Sequence, residues 1–168
     1  MNKARRYLVD SSIFINAVRT YYAFDLAPKF WTLLETHIQD GRVISIDKVK
    51  AELMDGDDEL SRWAETRSHM FHPTKNNEIL AHYGFLQRWA HQSSQYNSAA
   101  KAEFAADRNA DPWLVAWSME SKDVLVTFES QTNKDIQKRI PIPNVCRAFG
   151  VEFSQLFQMM RELKIVID

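Results

Sequence analysis

The chain has 168 residues, 45% of them hydrophobic and 26% charged, which is the composition of an ordinary soluble globular protein with one well-filled core. Its formal net charge of −1 gives no overall basic field that would indicate a nucleic-acid partner, although a local basic patch suffices for phosphate contacts. The single cysteine excludes an intrachain disulfide, and no apolar run approaches the roughly 20 residues that cross a bilayer, so we expect one cytoplasmic domain over residues 1–168 and no membrane partner.

The first regular element is an apolar run that ends at an aspartate. Tyr7–Val9 is predicted to be a short strand buried on both faces, because the run is unbroken and bounded by polar residues. Asp10 follows at the carboxyl end of this strand, where open α/β sheets bind their ligands. The alternative is that Asp10 only caps the helix that follows, since aspartate is a good N-cap residue.

Strand and helix patterns alternate through the rest of the chain. Further strands are predicted at residues 43–46, 124–127 and 151–153, and helices at residues 28–40, 48–54, 76–92 and 155–163. Residues 55–106 read as helical throughout and as an insertion or lobe beside the sheet, whereas residues 140–145 contain two prolines and do not suit a central strand. The alternation predicts an α/β fold with a mostly parallel central sheet.

Four acidic residues occupy comparable positions in this arrangement. Asp10 ends the first strand, and Glu52 lies in the helix after the second. Asp111 begins the helix before the third strand, and Glu129 follows that strand. Because strand ends and the helix starts above them share one edge of a parallel sheet, we expect the four carboxylates to converge. Each acid also has an alternative interpretation when it is taken alone. Glu52 can be a solvated helix residue, Asp111 a helix cap and Glu129 an ordinary loop acid.

Converging carboxylates repel one another unless a cation compensates their charge. Mg²⁺ and Mn²⁺ prefer oxygen ligands, so a cluster made only of carboxylates suits them and not zinc. Such a site generates a nucleophile from water and stabilises charge on a phosphodiester during in-line attack. The pattern therefore predicts metal-dependent phosphodiester hydrolysis, with an acid of the cluster helping to remove the proton of the attacking water.

Four short motifs in this order resemble those of PIN domains, and more narrowly the PIN-like proteins grouped with VapC-type toxins. The motifs are LVDSS at residues 8–12, VKAEL at 49–53, ADPWLVA at 110–116 and LVTFE at 125–129. The resemblance implies a three-layer α/β/α sandwich, a metal-dependent ribonuclease acting on RNA, and a small antitoxin protein as partner. It leaves room for a homodimer, for which the aromatic loop around Tyr21 and Tyr22 is a candidate surface.

The resemblance also implies roles for individual residues. The metal-site and catalytic roles go to Asp10, Glu52, Asp111 and Glu129, where Glu129 departs from the aspartate that many PIN domains have. Ser11 and Thr127, the small hydroxyl residues of the first and last motifs, are expected to support the site or the scissile phosphate. The helical stretch at residues 55–106 is longer than in compact toxins.

Basic residues supply candidates for contacts with RNA phosphates. These are Arg5, Arg6, Arg108, Lys134, Lys138, Arg139 and Arg147. Arg108 is the best placed of them in the sequence, three residues before Asp111, although dispersed surface cations are the alternative for each. The acidic run at residues 55–59 lacks the spacing of a calcium loop, and the histidines form no zinc motif.

Two hypotheses from different functional classes follow. The first is an Mg²⁺- or Mn²⁺-dependent endoribonuclease that serves as the toxin of a type II toxin–antitoxin pair. The second is a PIN-like module that binds RNA or protein without cutting, which the near-neutral charge and the extra helical stretch favour.

Overall fold

Five parallel strands form the centre of the computed structural model, which describes residues 4–129 and 134–168. The strands are β1 (Tyr7–Val9), β2 (Val43–Ile46), β3 (Phe71–His72), β4 (Val124–Val126) and β5 (Phe153–Ser154). Their order across the sheet is β3-β2-β1-β4-β5, and every neighbouring pair is parallel. In the central position of β1, Leu8 pairs with Ile44 on one side and with Leu125 on the other. The predicted α/β fold with a parallel sheet is confirmed.

Nine α-helices in the described residues pack around this sheet. They are α1 (Ser11–Asn16), α2 (Pro28–Gln39), α3 (Asp47–Met54), α4 (Glu59–Glu65), α5 (Asn77–Gln92), α6 (Ser98–Phe104), α7 (Asp111–Ser121), α8 (Ile142–Phe149) and α9 (Leu156–Leu163). A π-helical turn at Ala17–Tyr21 extends α1. The strands β1, β2 and β4 are buried at every residue, as expected for a sheet covered by helices on both faces. None of the described helices has both the length and the apolar character needed to cross a membrane.

Local sequence signals place several helix ends. Pro28 opens α2, and Gly41 follows its end with φ +69°, a left-handed conformation that glycine adopts without strain. At the start of α4, the Asp58 carboxylate accepts a hydrogen bond from the Ser61 amide (3.0 Å), while the Ser61 hydroxyl accepts one from the Asp58 amide (2.7 Å). This reciprocal pair starts α4 after only four residues that separate it from the end of α3.

Of the predictions for residues 55–106 and 140–145, the first is wrong, and the second, that the two prolines exclude a central strand, is confirmed. The stretch at residues 55–106 is not helical throughout, because Phe71–His72 forms the edge strand β3 and Phe71 pairs with Ser45 of β2. The stretch is therefore anchored in the sheet. Residues 140–145 contain the first half of α8, in which Pro143 lies in the first turn, where a missing N–H costs nothing.

A buried ion pair ties the segment before β1 to the start of β4. The Arg6 guanidinium donates two hydrogen bonds of 2.8 Å to the two carboxylate oxygens of Asp123, and the Trp117 indole donates a third of 2.9 Å. Only 4% of the Asp123 side chain is exposed, against a quarter of Arg6. Burial alone would raise the pKa of Asp123, but these hydrogen bonds and the Arg6 charge hold it below its ordinary value.

We expect Asp123→Asn to lower the free energy of unfolding at pH 7 by about 2 kcal/mol, because it leaves the Arg6 charge partly buried and unpaired. Since the folded pKa of Asp123 is lowered, its stabilisation is present above its ordinary pKa and is lost as the pH falls through the folded value. Urea unfolding at pH 7 and at about pH 3 measures both effects, and the difference between wild type and variant should shrink at the lower pH.

The control is Glu103→Gln, which breaks the exposed ion pair between Arg108 and Glu103. That change should alter the free energy of unfolding by no more than about 0.5 kcal/mol. Equal losses for the two variants would show that burial of Asp123 contributes nothing special.

Candidate active site

Asp10 is fixed at the carboxyl end of β1 by both its backbone and its side chain. Its amide donates to the Val126 carbonyl (3.0 Å), which continues the pairing of β1 with β4. Its carboxylate, with only 3% of the residue exposed, accepts hydrogen bonds from the hydroxyls of Ser12 (2.7 Å) and Thr127 (3.0 Å). Asp10 is the N-cap residue of α1, but its carboxylate accepts no capping hydrogen bond from the helix, so its side chain does not serve only as a cap and is oriented by the two hydroxyls.

Glu52 points from α3 back to the same edge of the sheet. Its carboxylate accepts hydrogen bonds from the Ser11 hydroxyl (2.6 Å) and from the Ala110 amide (2.9 Å) at the start of α7. The Ser11 hydroxyl also lies 3.3 Å from an Asp10 oxygen, which is longer than an ordinary O–H···O bond, so its proton is donated to Glu52. Glu52 is therefore a linking residue of the site and not a solvated helix residue.

Glu129 joins the site to α8. Its carboxylate accepts a hydrogen bond of 2.6 Å from the amide of Ile142, the first residue of α8, and forms an ion pair with Arg139. An anion is favoured at a helix N-terminus, where main-chain N–H groups have no partner within the helix. The amide of Glu129 in turn donates to the Thr127 hydroxyl (3.2 Å). These contacts give Glu129 more than the role of a loop acid.

Asp111 is the acid on which the charges of the other three act. It is the first residue of α7 and not its cap, and none of the described residues donates a hydrogen bond to its carboxylate. Burial raises the pKa of Asp111 well above its ordinary value, and the charges of Asp10, Glu129 and Glu52 raise it further. The charges of the other three predicted site residues therefore act on Asp111, while the convergence of all four carboxylates on one cation stays a prediction.

The other three acids share this shift toward the neutral form. Burial raises the pKa of Asp10 although the Ser12 and Thr127 hydroxyls oppose the rise. Burial likewise raises the pKa of Glu52 and that of Glu129, the latter against the opposing charge of Arg139. A site that disfavours its own negative charges takes up either protons or a cation.

The chemistry of this donor set fits a hard divalent cation. All four side chains offer carboxylate oxygens, the ligands that Mg²⁺ and Mn²⁺ prefer, and the half-buried Asp111 carboxylate accepts no hydrogen bond from the described residues. Within residues 4–129 and 134–168, however, no three His, Cys, Asp or Glu side chains are already gathered in a metal-ligating group. Two of the acids accept hydrogen bonds from main-chain amides, Glu52 from Ala110 and Glu129 from Ile142.

The supporting residues differ in part from those expected. Ser11 and Thr127 contact the acids as the motifs indicated. Arg108 pairs with exposed Glu103 and contacts none of the four acids among the described residues, whereas Arg139 forms the ion pair with Glu129 at the site. Ser12 was missed as a site residue, although its position two residues after Asp10 in the DSS run is typical of a side chain that folds back onto an aspartate.

We expect Ser12→Ala to lower the free energy of unfolding by about 1–2 kcal/mol. The hydroxyl donates to Asp10 and accepts from the Phe128 amide (3.2 Å), so its removal leaves both groups without that partner. The control is Ser118→Ala, because the buried Ser118 hydroxyl has no partner in the described part of the chain. Urea unfolding should show a change within about 0.5 kcal/mol for the control; similar losses in both variants would contradict the role of Ser12.

Comparisons with known structures agree with this architecture. VapBC2 from Rickettsia felis, solved bound to a DNA fragment from its promoter, superposes with a TM-score of 0.50 at 15% identity, covering 89% of this chain and 98% of that chain. VapBC-1 from nontypeable Haemophilus influenzae superposes with a TM-score of 0.51 at 17% identity, covering 89% and 96% respectively. At these identities the likeness concerns the fold, which is the PIN-like α/β arrangement that the motifs implied.

Sequence comparison gives the family. No curated protein matches the chain. One family model, described as a domain of unknown function (DUF4411), matches residues 7–167 and so includes all four acids of the site. This chain therefore belongs to the DUF4411 family, and its fold is PIN-like.

Proposed function

We propose that this protein is an Mg²⁺- or Mn²⁺-dependent endoribonuclease that hydrolyses RNA phosphodiester bonds. The observation that carries the proposal is the half-buried Asp111 carboxylate, to which no described residue donates a hydrogen bond and whose pKa is raised by desolvation and by the charges of three other acids. Such a cluster is compatible with neutral pH only if protons or a cation compensate it, and oxygen donors select a hard divalent cation. The carboxylate donors and their raised pKa values support the proposal of a divalent metal site.

The four acids divide the chemistry between them. Asp10, Glu52, Asp111 and Glu129 would hold the cation, which when bound supplies a nucleophile from water at neutral pH and offsets charge on the phosphodiester. An acid of the cluster would accept the proton of the attacking water.

Arg139 is the cation that supports binding of the substrate phosphate. It pairs with Glu129, its charge opposes the rise in the pKa of Asp111, and about half of its side chain is exposed to an incoming ligand. A guanidinium so placed can donate to a phosphate while remaining attached to the acidic cluster. In the proposed mechanism, Arg139 takes the role that sequence position gave to Arg108.

The proposed biological role is that of a toxin paired with a small antitoxin protein. Two observations support it: the motifs resemble those of VapC-type proteins, and the fold is shared with the VapBC structures. A small open reading frame beside the gene would support a two-protein system. Growth arrest on expression, relieved by Asp10→Asn, would support a toxic nuclease.

The second candidate is a PIN-like module that binds RNA or protein without cutting it. Glu52 and Glu129 each accept a hydrogen bond from a main-chain amide, and Glu129 also pairs with Arg139. These contacts favour this candidate, because they give both carboxylates partners without a metal. The two candidates separate on one point: only a nuclease loses an activity when the metal is removed.

The apo and metal-bound states give the first test. We expect Asp111→Asn to raise the free energy of unfolding of the metal-free protein at pH 7.5 by about 1 kcal/mol, because it removes one of four mutually repelling carboxylates. The same change should abolish the increase in Tm that Mn²⁺ causes in the wild type. Thermal unfolding with EDTA and with Mn²⁺ measures both, and a variant that still gains Tm from Mn²⁺ would contradict a metal role for Asp111.

Catalysis gives the second test. We expect Asp10→Asn to reduce Mn²⁺-dependent cleavage of purified single-stranded RNA at least about 100-fold. The change removes a charged ligand of the proposed cation, which Ser12 and Thr127 hold in position. Glu103→Gln, an exposed acid outside the cluster, should keep full activity. Gel analysis of end-labelled RNA with and without EDTA provides the measurement. Full activity in Asp10→Asn would sink the nuclease proposal and leave the binding module.

A further inference from the structure

Three aromatic rings form a partly exposed cluster at the surface. Tyr21 stacks on Phe128 with ring centroids 5.6 Å apart and an interplanar angle of 11°, and Phe157 meets Tyr21 nearly edge-on at 5.8 Å and 81°. Tyr21 is 48% exposed and Phe157 is 43% exposed. Exposing such rings forgoes the free energy that their burial would release, so an assembled and exposed cluster indicates a binding surface.

This aromatic cluster adjoins the acidic site through Phe128. Phe128 stands in the chain between Thr127, which donates to Asp10, and the acid Glu129. The Phe128 amide also donates to the Ser12 hydroxyl, which donates in turn to Asp10. The position of the ring is thereby fixed to the same residues that orient the acids.

Arg139 supplies a positive charge next to the segment that carries Phe128. Arg139 pairs with Glu129, the residue after Phe128, and keeps about half of its side chain exposed. Aromatic faces stack on nucleobases, and guanidinium groups donate to phosphates, so this combination suits a single-stranded nucleic acid, whose bases are free to stack. A base-paired duplex hides its base faces and cannot use the rings in this way.

We propose that Tyr21, Phe128 and Phe157 form a subsite that stacks an unpaired base of single-stranded RNA next to the scissile phosphate. The inference rests on the proposed function and names its substrate class as unpaired RNA. A second copy of the chain is the competing occupant, but a standard protein interface uses about 20–30 residues on each side. Three rings beside the acidic site and the half-exposed side chain of Arg139 match a base and its phosphate instead.

The test measures affinity separately from cleavage. Fluorescein-labelled single-stranded RNA of about ten nucleotides and its duplex are titrated with protein in EDTA, where no cutting occurs, and anisotropy gives Kd. We expect Tyr21→Leu and Phe157→Leu to weaken binding of the single strand about tenfold each, because they keep apolar bulk but lose the stacking face. Binding of the duplex should stay unchanged, and Tyr21→Phe should bind the single strand like wild type.

The matched control is Phe85→Leu. Phe85 is a similarly exposed ring at 52%, but it lies on α5 and packs against the Arg88 guanidinium, away from the three-ring cluster. It should leave both affinities unchanged. Circular dichroism melting of each variant checks that the fold is retained, and the conservative Tyr21→Phe variant tests the ring itself if a leucine variant melts early.

Each result decides between the alternatives. If wild type binds single-stranded RNA and the two leucine variants bind it equally well, the subsite is overturned while the nuclease proposal stands. If the variants instead change the oligomeric state in light scattering with affinity for RNA intact, the rings belong to an interface between copies and the subsite is again overturned. If wild type neither binds nor cuts RNA, the proposed function fails together with the inference.

Discussion

Burial of like charges at one edge of a parallel sheet is the constraint around which this molecule is arranged. β1 and β4 lie side by side, so the residues after them, Asp10 and Thr127, are brought together, and α3 and α7 add Glu52 and Asp111 from either side. Each carboxylate loses hydration there, and burial is the largest cause of the raised pKa in every case. A fold selected only for stability would replace these acids with neutral residues.

The protein compensates the lost hydration of the four carboxylates to different extents. Asp10 is held by hydroxyls, Glu52 by a hydroxyl and an amide, and Glu129 by an amide and a guanidinium. Asp111 receives nothing comparable from the described residues. Three acids are therefore oriented by described residues, and Asp111 is the one for which the proposed cation would supply the missing partner. Hydroxyl donors also suit a site that must exchange partners, since a hydroxyl rotates toward whichever acceptor is present.

The sequence was most informative where local pattern and topology act together. Apolar runs that end in an acid predicted both the parallel strands and the edge at which Asp10 and Glu129 lie. The pattern could not reveal contacts made over long sequence distances, such as the pairing of Arg139 with Glu129 in place of a free phosphate ligand. It also missed α8, because two prolines masked a helix that begins where Glu129 binds its first amide. Phe71–His72 was too short to stand out from the helices around it.

Phe128 connects the two halves of the proposed active site. Its backbone completes the hydrogen bonds around Ser12, and its side chain supports Tyr21 at the surface. A substrate base stacked on Tyr21 would press on the same segment that carries Thr127 and Glu129, so binding and orientation of the acids are mechanically linked. The Glu129 carboxylate is held by the Ile142 amide and by Arg139, so the residue next to Phe128 is where the proposed cation and the proposed RNA phosphate would meet. Because Arg139 keeps its contact with Glu129 in the proposed mechanism, its charge would offset that carboxylate and the phosphate together.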